Sequence, residues 1–288
     1  MPPDTARRLW YGVFDGARWH SLEQIAIPTG VDVHPFRASR LVVHGDTLVW
    51  AMRGTDRTKR TLAVVFTKRG GPWSHELVRA DDATDVALAH STARGALLAV
   101  VHPDPALQRD GGSVFLYAAR PAWQPLGKVH PGDRESAIWP EMALSPAGGV
   151  LSWISLVEDP AGERRVARAL VGDLASGQAD VLTVDSTVAE VVLPLWFDRN
   201  SYLWITDHVE PGQSLRQLRI VESRAGRVEV AGAITNPYTG YFGATGLGRR
   251  EVLIAGPLLE SDHVVTLLVR VGVHCPPRGN EPSGAPSH

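Results

Sequence analysis

The strongest constraint in this chain is a phrase that recurs five times: a tight turn followed by an apolar strand. Gly45-Asp46 leads into Leu48-Val49-Trp50, Arg94-Gly95 into Leu97-Leu98-Ala99-Val100, and Gly148-Gly149 into Leu151-Ser152-Trp153. Arg199-Asn200 leads into Leu203-Trp204-Ile205, and Arg249-Arg250 into Val252-Leu253-Ile254. The strand centres recur at about 51 residues, and short β-branched and aromatic runs between Gly, Pro and Asp turns fill each interval. A unit of this size cannot bury both of its faces alone. Successive units must therefore stack, each covering its neighbour.

A period in this range with several strands per unit predicts an all-β fold, a five-bladed β-propeller. The inner strands are expected at Arg40–His44, Asp85–His90, Glu141–Ser145, Glu190–Trp196 and Tyr241–Leu247. The fifth unit runs out after three strands. The N-terminal hairpin, Leu9–Phe14 and Arg18–Ile25 about Asp15-Gly16-Ala17, is the expected donor that closes the ring and removes its free edges. The hairpin offers two strands where one is missing, so six blades is the alternative count. A single propeller domain over residues 1–274 is expected, followed by a disordered Pro/Gly/Ser tail over 275–288. Trp50, Trp153 and Trp204 share one phase of the repeat, which assigns them to packing between blades.

Composition limits the partners. A net charge of −2 without a concentrated basic face argues against nucleic acid. No run of apolar residues is long enough to span a bilayer as a helix, so no membrane role is expected. The first residues lack the apolar core of a secretory signal, which makes the expected location cytoplasmic. Three lysines among abundant arginine, alanine, glycine and valine fit a high-GC bacterium. One cysteine, Cys275, excludes an intrachain disulfide.

In a propeller the segments entering each inner strand share one face with the loops leaving each second strand, and that face opens on the central channel. Residues that break the repeat there are the candidates for chemistry. Asp32, His34, Glu141 and Glu190 are the expected acid/base groups, because carboxylates in unlike environments can divide the roles of acid and base. Arg37, Asp85, Trp139, Tyr238 and Tyr241 are the expected substrate contacts, the first as a charge anchor and the aromatics as walls for a sugar or other ring. Acids in the second-to-third strand loops, Asp207 and Glu210 among them, are read as turn caps and partners for arginine.

No resident cofactor is expected. Thr206-Asp207-His208-Val209-Glu210 and Glu260-Ser261-Asp262-His263 leave Ca²⁺ as an open option, but paired cysteines, HExxH and Ca²⁺-loop spacings are missing. Phosphate-binding glycine loops and Gly-x-Ser-x-Gly are missing too. Val31-Asp32-Val33-His34-Pro35 followed by Val42-Val43-His44-Gly45-Asp46-Thr47-Leu48-Val49-Trp50 is similar in layout to the first blade of five-bladed glycosidases. Val188-Ala189-Glu190 followed by Tyr202-Leu203-Trp204 resembles their acid-bearing blade. This resemblance implies a base, a helper carboxylate and an acid near the starts of inner strands. The sequence departs from it where Val33-His34 separates Asp32 from Pro35 and where Val191-Val192 follow Glu190. The expected function is a small-molecule enzyme, a hydrolase, lyase or cyclase acting on a sugar or ring-bearing metabolite. The alternative is a non-catalytic propeller that binds a ligand or protein. Oligomeric state is not legible.

Overall fold

The computed structural model describes residues 8–14, 18–38, 41–78, 82–91, 95–103, 111–119, 122–129, 135–145, 148–160, 162–176, 178–198, 201–210, 212–213, 215–224, 227–238, 242–248, 251–260 and 263–272. The expected tail over 275–288, Cys275, Tyr241 and the Ser261-Asp262 pair lie outside them. Among the described residues every regular element is a strand.

An N-terminal hairpin, β1 (Leu9–Phe14) and β2 (Trp19–Ile25), precedes five meanders. Blade 1 comprises β3 (Val31–Ala38) continued by β4 (Val42–His44), then β5 (Thr47–Asp56), β6 (Thr61–Arg69) and β7 (Ser74–Val78). Blade 2 is β8 (Asp85–Ser91), β9 (Gly95–Pro103), β10 (Gly112–Ala119) and β11 (Trp123–Lys128). Blade 3 is β12 (Glu135–Ser145), β13 (Gly148–Asp159), β14 (Gly162–Asp173) and β15 (Gln178–Asp185). Blade 4 is β16 (Val188–Asp198), β17 (Ser201–Val209), β18 (Arg216–Arg224) and β19 (Arg227–Thr235). The described residues of blade 5 form three strands, β20 (Gly243–Gly248), β21 (Glu251–Glu260) and β22 (His263–Gly272). Successive strands within each blade pair antiparallel, and the molecule is a five-bladed β-propeller.

The inner strands begin earlier than expected in three blades: at Val31 rather than Arg40, at Glu135 rather than Glu141, and at Val188 rather than Glu190. Pro35 and Pro140 made these segments read as loops. Proline cannot donate to a ladder and survives in strands at bulges, and both prolines fall where the register breaks.

The core follows from period-2 alternation on the second strand of each blade. Val49 and Ala51 face blade 2, packing with Val86, Leu88 and Leu98. Trp153 packs with Ala99 and Leu116 of blade 2, while its neighbour Ile154 packs with Val188 and Trp204 of blade 4. Leu203 and Ile205 point the other way, onto Tyr238, Phe242 and Val252 on the blade 5 side. Trp153 and Trp204 are fully buried, so at about 25 cal/mol per Å² each contributes roughly 4–6 kcal/mol. Their indoles are satisfied, Trp204 Nε1 donating to Ser152 Oγ at 3.0 Å and Trp153 Nε1 to Ser155 Oγ at 2.9 Å. Trp50 is half-buried and rests against Phe66 and Met52.

Leu9 and Ile25 of the hairpin seal the remaining face of blade 1, packing with Val33, Met52 and Phe66. Among the described residues β1 and β2 pair with each other, and no ladder joins them to β22.

Candidate active site

Three inner strands depart from regular pairing in the half that enters the channel face. On blade 1 the partner register advances four residues, His34 to Ala38, while β5 advances one. On blade 3 it advances three residues, Ile138 to Glu141, against two on β13. On blade 4 it advances four residues, Val188 to Val192, against two on β17. The inner strand of blade 2 runs without a break. A bulge lengthens one strand locally and re-aims its side chains. The bulges therefore fall on or beside the expected acid/base groups: Asp32 and His34, Glu141, and Glu190.

The blade 3 bulge carries backbone strain. Trp139 has φ +50° and is followed by Pro140, which itself disfavours a helical backbone at the residue before it. Such a conformation costs on the order of 1–3 kcal/mol and persists only where its surroundings impose it. Here the Trp139 ring packs on the blade 3–blade 4 core and the Arg165 guanidinium lies 5.4 Å from its centroid. Arg165 is itself held by a 2.7 Å bond from Nη1 to the Ala189 carbonyl, on the neighbouring blade. One face of Trp139, expected to be open as a wall, is thus covered by Arg165. Glu141 is half-buried, opposite Ser152 and further along the same strand.

On blade 4, Glu190 joins an ionic cluster. Arg216 reaches it with Nη2 to Oε1 at 3.3 Å and Nη1 to Oε2 at 3.3 Å. The same Nη1 donates to Asp207 Oδ2 at 3.1 Å, and Asn236 Nδ2 donates to Asp207 Oδ1 at 2.9 Å. Asp207 is 1% exposed. Burial pushes its carboxyl above the usual carboxylate range and nearby Glu190 adds to the rise, against the opposing pull of Asn236 and Arg216. Glu190 above all, with Asp207, holds the Arg216 guanidinium protonated.

The opposite face of β17 carries a second chain of contacts. His208 Nδ1 lies 2.9 Å from Asp185 Oδ1, and its Nε2 lies 3.0 Å from Glu210 Oε1, which Arg219 also contacts at 3.1 Å. Thr206 Oγ1 donates to Asp185 Oδ2 at 2.9 Å. Asp185 and His208 are both buried, and together they tie the end of blade 3 to blade 4. The bond to His208 does most to hold the Glu210 carboxyl below its ordinary range.

On blade 1, Asp32 and His34 are two residues apart and project from one face of β3. Asp32 pairs with Thr55 across the ladder, and His34 Nε2 lies 3.0 Å from Thr55 Oγ1. Asp32 is exposed and lines a cleft of about 1000 Å³ where the end of the hairpin meets blade 1.

The remaining expected contacts are dispersed. Asp85 is buried at the start of β8. Tyr238, expected as a wall, is a core residue instead: it is 6% exposed, stacks on Phe242 at 5.5 Å, and donates its hydroxyl to the Ile254 carbonyl at 3.1 Å. Its ring packs with Leu203, Ile205 and Val252 in the blade 4–blade 5 seam. Arg37 is in β3 with its side chain outside the described set, as is Tyr241 entirely. Asp207 was expected as a solvated turn acid and is a buried strand residue; the strand continues through Val209. Arg216 and Asp185 gave no signal, since an arginine opening a third strand and an aspartate closing a fourth are common in any meander. Among the described residues no three His, Cys, Asp or Glu side chains stand together as a metal site.

The fold has counterparts among solved structures. A protein of unknown function from Dyadobacter fermentans superposes with a TM-score of 0.57 at 13% identity, covering 86% of this chain and 81% of its own. A family 117 glycoside hydrolase from the marine bacterium Zobellia galactanivorans gives 0.51 at 12%, with 84% of each chain covered. The α-L-arabinanase of Penicillium chrysogenum, solved with arabinobiose, gives 0.50 at 12%, covering 78% and 76%. No protein-family model matches the chain, and no curated protein does. At these identities the likeness shows the class of fold alone, and two of the three proteins that share it are named for action on glycans.

Proposed function

We propose that this propeller is a sugar-acting hydrolase that works by acid/base chemistry on the face where its inner strands begin. The observation that carries the reading is the coincidence of register breaks with carboxylates on blades 1, 3 and 4, and their absence from blade 2. The similarity in fold to a glycoside hydrolase and an arabinanase supports the same substrate class.

In this reading Asp32, exposed in its cleft, is the base that takes a proton from water, with His34 beside it on the same strand face. Glu141 is the proton donor to the leaving oxygen. Glu190, gripped by Arg216, is better suited to a fixed negative charge that steadies the positive charge developing on the sugar ring than to proton transfer. Asp207 and Asn236 are positioning residues that hold Arg216. The test is release of reducing ends from a panel of plant and algal polysaccharides and aryl glycosides by the wild type, Asp32→Asn and Glu141→Gln. General acid or base removal should lower turnover by about 10²–10⁴-fold while leaving folding intact. Turnover unchanged in both variants would refute the assignment. A wild type that binds sugars without cleaving any would leave the non-catalytic reading in its place.

A further inference from the structure

The cleft beside Asp32 has a charge arrangement that the hydrolase reading does not use. Its polar lining includes Arg8, Asp32, Asp56 and Arg57. One of the two acids is already committed. Asp56 Oδ1 accepts from Thr58 N at 2.8 Å, Thr58 Oγ1 at 2.7 Å and Arg60 N at 3.0 Å, and these bonds, Thr58 first, hold its carboxyl below the usual range. It is the closing group of the β5–β6 turn. The two arginines are in the opposite condition. Neither guanidinium makes a hydrogen bond or ion pair with another described residue, although both face a cleft that is elsewhere polar.

Arg57 is exposed, but its stem lies against Gly30. Gly30 has φ +80°, and a Cβ there would stand 2.6 Å from Arg57 Nε and 3.1 Å from its Cγ and Cδ. The side chain therefore runs across the glycine, and a Cβ at this position would push it aside. Val31 N donates to the Pro28 carbonyl at 3.1 Å, which fixes the turn that presents Gly30. A planar guanidinium laid along a cleft wall, without an ion pair to any described residue, is arranged for an external planar anion.

We propose that this cleft is the subsite for an acidic sugar residue, with Arg57, aided by Arg8, gripping the anionic group while Asp32 faces the ring. The substrate class is then an acidic saccharide rather than a neutral one. This rests on the hydrolase reading for its site but makes a separate claim about charge. Gln24, Thr29 and Thr55 supply the neutral hydrogen-bonding groups that ring hydroxyls require.

The test is calorimetric titration of the intact protein with three probes: oligogalacturonates, a sulfated galactan oligosaccharide and a neutral galactan oligosaccharide. The expected result is at least about tenfold tighter binding of an acidic probe than of the neutral one, falling as salt is raised. Arg57→Gln should abolish that preference, and Arg8→Gln should reduce it. Both residues are exposed, so folding should be unaffected, and a matching thermal midpoint checks this. The uronate and sulfate arms decide which anion the site takes. Equal affinity for neutral and acidic probes, no binding of either acidic probe, or a preference that survives Arg57→Gln would overturn the proposal. Gly30→Ala gives a second route: displacing Arg57 without removing it should lower the acidic preference alone. Cleavage of neutral glycans without acidic preference sinks this inference and spares the hydrolase reading. Acidic preference without cleavage of any glycan does the reverse.

Discussion

Replacing Arg216 by methionine tests whether the blade 4 cluster is a buried ionic arrangement or a surface decoration. The variant keeps the stem that packs on the strand and removes the head that contacts both Asp207 and Glu190. Asp207, with a side chain 2% exposed, would retain only the Asn236 bond among the described residues and would still face Glu190. A hydrogen bond to a buried charge is worth about 1.5–3 kcal/mol. The Glu190 pair, 30% and 37% exposed, adds no more than about 1 kcal/mol after screening. The expected loss is about 2–3 kcal/mol, or roughly 5–10 °C in Tm for a chain of this size.

The pH dependence is the sharper signature. The folded Asp207 binds its proton more tightly than the unfolded one, so its contribution is fully present below the unfolded value and is lost as pH rises through the folded value. Without Arg216 the folded value rises further, so the variant loses more on the alkaline side, with a slope of up to about 1.4 kcal/mol per pH unit. Urea unfolding of both proteins from mildly acid to mildly alkaline pH should show a gap that is small in acid and widens toward neutrality. A gap that is constant with pH, or that narrows as pH rises, would refute the buried-carboxylate argument.

Three other outcomes follow from the same structure. Trp204→Ala should cost about 3–5 kcal/mol in urea unfolding, while Trp204→Phe, which loses mainly the bond to Ser152, should cost about 1–2 kcal/mol; equal costs would mean the seam is loosely packed. His208→Ala should cost about 2–4 kcal/mol by leaving buried Asp185 with Thr206 alone of its two blade 4 side-chain bonds, and limited proteolysis should then cut first near the blade 3–blade 4 junction; an unchanged protease pattern would count against that tie. Asp56→Ala should lower Tm at neutral pH, and because the folded carboxyl titrates below its ordinary value the difference should disappear as pH falls through that value; a difference that persists in strong acid would mean the turn is held by something else.

The architecture was largely legible because it depends on periodicity. Trp153 and Trp204 recur at one phase, and alternation sends them into successive seams between blades. The starts of the inner strands were less legible. Pro35 and Pro140 read as loop residues, whereas in the structure they sit inside strands at bulges. The same misreading hid a useful signal, because a proline within an otherwise regular inner strand is what marks those bulges. Asp32, His34, Glu141 and Glu190 could be singled out as departures from the repeat, but their partners could not. Arg216 is 26 residues from Glu190 and Asn236 is 29 from Asp207, and such pairings depend on the register between strands. Tyr238 misled for a related reason: a tyrosine after a proline in a loop looks like an exposed wall, yet the blade 4–blade 5 seam has room for its ring and a carbonyl for its hydroxyl.

The central claim is that carboxylates beside the bulged inner strands act on sugars, and glycan cleavage by matched variants measures it most directly. Wild-type protein, Asp32→Asn, Glu141→Gln and Glu190→Gln should be compared for release of reducing ends from the same neutral and acidic polysaccharides, with thermal melts confirming that each is folded. The account predicts cleavage of at least one polysaccharide by the wild type and a loss of about 10²-fold or more in Asp32→Asn and Glu141→Gln. Cleavage that survives both substitutions, or a folded wild type that cleaves none of the glycans, would contradict it.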